Sequence, residues 1–133
     1  MPRTPSRDPI DSLTSTLLDL HRALLDDTRQ DYERIEGPVG GPGDLLALLT
    51  QHATFAWLRP LSGLIAELEH AGAAGDEDAV REHVAKLDEL LAPGSAFAAR
   101  TVVVFQRSPD AVMAHAAALR ALRATGIVTT QST

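Results

Sequence analysis

At 133 residues the chain is long enough for one domain with a sizeable core, and 44% hydrophobic with 23% charged residues is a globular rather than a disordered composition. Its formal net charge of −6 disfavours nucleic acid, whose phosphates a binding protein must neutralise, and disfavours anionic lipid surfaces. With no cysteine there is no disulfide, no thiolate nucleophile and no cysteine-ligated zinc or iron–sulfur site.

Aromatic residues are only 4%, so the core must be built from Leu, Ala and Val, and Leu and Ala favour helices. Met1 to Pro9 is polar and proline-rich, unlike a signal peptide, and no apolar run approaches the roughly 20 residues of a membrane span. The expected location is the cytoplasm.

Residues 1–8 are expected to be a disordered tail. Asp8-Pro9 signals a helix start, with Asp as N-cap and Pro in the first turn. Ile10, Leu13, Leu17, Leu20, Leu24, Thr28, Tyr32 and Ile35 then step by three or four, which predicts an amphipathic helix of about seven turns. Gly37-Pro38 stops it, and residues 37–43 form a glycine-rich connector. A phosphate cradle there is discounted, because no strand precedes it and no Lys-Ser/Thr follows.

Asp44 is a candidate cap for the next helix. Leu45, Leu46, Leu48 and Leu49 leave it few polar faces, so it is expected to be buried nearly all round and to end between His52 and Trp57. Pro60 either kinks the chain or opens a helix whose stripe is Leu61, Leu64 and Leu68, flanked by Ile65. Asp76-Glu77-Asp78 suits a helix N-terminus, and Val80, Val84, Leu87 and Leu91 form that helix's stripe. Ser95 caps a further helix to about Arg107. Thr101 to Phe105 is β-branched enough to read alone as a strand, but it has no sheet partner, so helix is preferred. Ser108-Pro109-Asp110 starts the last helix, with Val112, His115, Leu119 and Leu122 on its face. Residues 127–133 are expected to fray.

These elements predict a single all-α domain over residues 9–126: a compact antiparallel bundle of five or six helices with no sheet.

Three histidines, His21, His52 and His115, fall on apolar helix faces of three different helices. Imidazoles there must find hydrogen-bond partners or bind a transition metal or haem, and helix bundles build such sites from inward-facing side chains. Glu33, Glu67 or Glu69 would complete a His/carboxylate set. The sequence also permits a plainer reading, because no His-Glu-x-x-His pair occurs and the lone Glu67-x-x-His70 stands where di-iron sites use two. His70 and His83 are expected to be exposed. Trp57, the only tryptophan, and nearby Arg59 are candidate interaction residues, since Trp and Arg anchor interfaces. In the alternative reading Trp57 is a core aromatic and Arg59 pairs with an acid such as Glu69. Arg100, Arg107, Arg120 and Arg123 read as a solvated basic surface. No Gly-x-Ser-x-Gly elbow is present, so a hydrolase using His with Glu is the weakest reading.

Three stretches together carry a resemblance: Leu17 to Leu25, Phe55-Ala56-Trp57-Leu58-Arg59-Pro60-Leu61-Ser62, and Gln106-Arg107-Ser108-Pro109-Asp110 running to Ala116. Over residues 10 to 124 the chain resembles a group of small, uncharacterised bacterial helical proteins. The resemblance implies a compact helical bundle in a bacterial cytoplasm and implies no activity. The functional expectation is a non-enzymatic helical interaction module that associates as a homodimer or with a protein partner. The alternative is a bundle binding a metal or haem through His21, His52 and His115.

Overall fold

The computed structural model describes residues 7–127. Apart from Arg7, Asp8 and Ile127, the expected tails lie outside them. Six α-helices follow in order: α1 (Arg7–Glu36), α2 (Pro42–Gln51), α3 (Arg59–Ala74), α4 (Glu77–Leu91), α5 (Ala96–Phe105) and α6 (Pro109–Ala124). A 3-10 turn, Ala53–Leu58, joins α2 to α3. Among the described residues there is no strand, and no helix is long and apolar enough to cross a membrane.

The helix starts follow local chemistry. Asp76, Ser95 and Ser108 each accept a hydrogen bond from the backbone N–H three residues on, satisfying an orphan donor at the first turn. Pro42, Pro60 and Pro109 sit in first turns, where a missing N–H costs nothing. The chain ends α1 at Gly37, whose φ of +94° is left-handed. Two starts differ from expectation. Helix α1 opens at Arg7, one residue before the Asp8 cap. Helix α2 is preceded by Gly41 with no side-chain cap, and Asp44 lies inside its first turn.

The centre of the bundle is α1. Leu13, Leu17, Leu20 and Leu24 are sealed from solvent, with α6 on one side and α3 on another. Each such leucine contributes about 1.5–3 kcal/mol relative to an exposed one. The stripe ends before its last member: Ile35 is exposed. Helices α3 and α4 pack together across the short Gly75-Asp76 link, with Leu61, Ile65, Leu68, Val84 and Leu87 between them and α1. Ile65 occupies the centre of the α3 stripe, and Leu64 its edge.

The face of α6 differs more. Ala111, Ala118, Ala121 and Leu122 are buried, while Val112 and Met113 are exposed. A helix packs most closely through its smallest side chains, so three alanines join Leu122 on the buried face of the helix that packs on α1. Ile127, expected to fray, packs against the core.

Candidate functional site

Each histidine has its own neighbourhood. His21 on α1 meets Ser62 on α3 through Nε2, at 2.6 Å from the hydroxyl oxygen. Ser62 also lies 3.2 Å from the Leu58 carbonyl. The arrangement that satisfies all three groups is a relay: the neutral His21 Nε2–H donates to Ser62, and the Ser62 hydroxyl donates to Leu58. Burial pushes the His21 pKa down, which keeps the ring neutral. His52 stands between α2 and the 3-10 turn. Its Nδ1 accepts from the Thr54 N–H at 3.1 Å, so it acts as a cap. Its ring meets Tyr32 edge-on at 5.1 Å. His115 on α6 packs against Phe105 at 4.8 Å, and burial lowers its pKa too.

The three histidines thus have separate neighbours, and no three His, Cys, Asp or Glu residues gather as a metal-binding group among the described residues. The carboxylates named with them are dispersed as well. Glu33 binds Arg29 and accepts from the Val39 N–H at 2.8 Å, holding the glycine loop to α1. Glu67 lies 3.5 Å from His83 Nδ1, across the α3–α4 seam. His83 is half-buried, contrary to the expected exposure, because α3 covers it. That nitrogen is sealed from solvent and makes no hydrogen bond.

The segment Phe55 to Ser62 is the hub of the fold. Phe55, Leu58 and Leu61 are fully buried. Arg59 is exposed and, among the described residues, forms no ion pair with Glu69. Its guanidinium donates to the Leu49 carbonyl at 3.0 Å and to the His52 carbonyl at 3.1 Å. It thus satisfies carbonyls that the end of α2 leaves without helical partners.

Trp57 is half-buried beside Phe97 of α5, with ring centres 5.3 Å apart, and Arg100 lies over the indole at 4.9 Å. The residue that sequence reasoning placed beside Trp57 was Arg59; the structure puts Arg100 there. Only the packing of α5 against the 3-10 turn brings the two together, so no local spacing announces the pair. Trp57, Pro60, Leu64, Leu90 and Phe97 form the apolar wall of an open groove of about 620 Å³ where α3, α4 and α5 meet. Arg107, read as part of a solvated basic surface, instead forks onto Asp27 of α1 at 2.7–3.1 Å.

The other distinctive surface is α2. It carries four leucines in ten residues, yet none of its residues is buried. The expectation of burial all round is overturned. Leu45, Leu48 and Leu49 lean on the core from its edge, and Leu46 stands in solvent. Asp44 is the one charged residue of the helix. A helix this short, with leucines on two faces, can turn only one of them inward.

Compared with known protein families, with characterised proteins and with solved structures, the chain matches none.

Proposed function

We propose that this protein is a non-enzymatic helical interaction module that associates with a second copy of itself through α2. The observation that carries the reading is a leucine-rich helix with no buried residue. Leu45, Leu48 and Leu49 are only partly covered by the core and Leu46 stands in solvent, which leaves an apolar edge that another molecule can cover. Charge favours a second copy as the occupant. The chain carries a net −6 and repels its own kind over most of its surface, but α2 has a single charge. A two-fold contact sets a patch against itself, so an uncharged leucine stripe is self-complementary where a charged face is not. The α1 and α4 surfaces, rich in Asp, Glu and Arg, lack this property.

The test is sedimentation equilibrium across a dilution series, with the wild type and Leu46→Glu. Leu46 makes little contact within the fold, so the variant stays folded. The expected result is a concentration-dependent dimer in the wild type and a monomer in Leu46→Glu, with unchanged helical circular dichroism. A wild type that is monomeric at every concentration, or a dimer indifferent to Leu46→Glu, rules out this contact.

A further inference from the structure

The groove beside Trp57 has an electrostatic character opposite to that of the chain. Its wall carries Lys86 and Arg100 against one acid, Glu89, in a protein of net charge −6. Glu89 forms no ion pair with either cation among the described residues. Lys86 is shared with the exposed Glu82 at 3.3 Å, a contact that water screens. Arg100 makes no ion pair and no hydrogen bond among the described residues; its one recorded contact is the indole face of Trp57. Its planar fork of N–H donors is thus oriented by stacking and stands open to solvent, where an anion can reach it. The Trp57 N–H is sealed from solvent without an acceptor, so of this residue it is the half-buried ring that the groove meets. The amino end of α5, at Ser95 and Ala96, also lines the groove and adds partial positive charge.

Below these donors the wall is apolar. A volume of about 620 Å³ lies within the range of roughly 300–1,000 Å³ usual for small-molecule sites. We infer that the groove binds a small amphipathic carboxylate of the fatty-acid type. The apolar tail lies along Trp57, Leu64 and Phe97, and the carboxylate is held by the Arg100 fork with Lys86 nearby. The inference is independent of self-association through α2, because α2 contributes no residue to this wall.

Trp57 is the sole tryptophan, so its emission reports on the groove alone. The experiment titrates the full chain with laurate below its micelle concentration, reading Trp57 fluorescence and, in parallel, heat by calorimetry. Lauryltrimethylammonium supplies the same tail with the opposite charge. The expected result is a saturable change at one laurate per chain, with the ammonium analogue binding at least about tenfold more weakly. Arg100→Gln is expected to weaken laurate about tenfold, the scale of one charge-assisted hydrogen-bonded contact, and to leave the helical spectrum unchanged. Absence of saturable binding in both readouts would overturn the proposal. So would equal binding of the two amphiphiles with no effect of Arg100→Gln, which would describe a merely apolar surface. An emission that shifts with protein concentration and not with laurate would assign the groove to a second copy and equally overturn it.

Discussion

Leu46 and Leu61 are the same side chain on successive α-helices, yet Leu46 is 60% exposed and Leu61 is sealed. Leu61 opens a helix that α1 and α4 flank, and its neighbours at three- and four-residue spacing, Ile65 and Leu68, point the same way. Leu46 belongs to a helix that packs mainly on the 3-10 turn after it. Its leucines come in adjacent pairs, 45–46 and 48–49, which spread apolar surface round the helix rather than concentrating it. Hydrophobic content sets how much apolar surface a segment has; the period and the number of flanking elements decide how much of it is covered.

The comparison breaks most visibly if one substitution is made at both sites. Leu61→Ala is expected to cost about 2–5 kcal/mol, the transfer loss plus the cavity left in a sealed core. Leu46→Ala is expected to lie within about 0.5 kcal/mol of the wild type when measured on dilute monomer. Urea unfolding of the three proteins checks both. A loss above about 1 kcal/mol for monomeric Leu46→Ala would show that α2 is covered in solution by its own chain.

The same contrast explains what was legible in the sequence. Where one apolar stripe ran at regular spacing between punctuating residues, as from Leu13 to Leu24 or from Val84 to Leu91, helix and buried face were both readable. The caps Ser95 and Ser108 were readable in local chemistry, while Asp76 was read only as suiting the helix dipole and proves to be a cap as well. In α6 Leu122 was legible as buried, but Val112 was not legible as exposed, because Ala111, Ala118 and Ala121 share the buried face with Leu122 and close packing rewards small side chains. The role of Arg59 was hidden for another reason. The carbonyls it binds belong to a helix end whose position depends on Gln51 being the last residue of α2. Of the three histidines, only His52 has a partner set by local spacing, the Thr54 N–H; the neighbours of His21 and His115, Ser62 and Phe105, are set by tertiary packing.

A smaller effect sharpens the comparison, because it concerns how an exposed helix is held at all. Arg59→Met keeps much of the side-chain stem and removes both donors to the Leu49 and His52 carbonyls. Since Arg59 is exposed, water partly replaces the lost contacts, and the expected global cost is about 1 kcal/mol. The local effect is larger than the global one. Amide exchange in residues 42–51 should speed up while that of α1 and α3 changes only with global stability. Uniform acceleration across all helices would mean that α2 is not a separately opening unit.

The smallest expected effect lies at the half-buried relay from His21 through Ser62 to Leu58. Burial lowers the native pKa of His21 from its ordinary 6.5, and that of His115 likewise. The unfolded chain therefore binds more protons than the native one just below pH 6.5, and stability rises with pH in that window. The contribution of the neutral rings is complete above 6.5 and is lost as pH falls from there through the lowered native values. His21→Gln retains an amide N–H that can donate to Ser62 but does not titrate. It should reduce the slope of stability against pH below 6.5, and His21→Gln with His115→Gln should reduce it further. Thermal unfolding between pH 5 and 8, the interval in which histidine ordinarily titrates, measures that slope directly. If the slope is untouched by both substitutions, the acid sensitivity of the fold lies elsewhere.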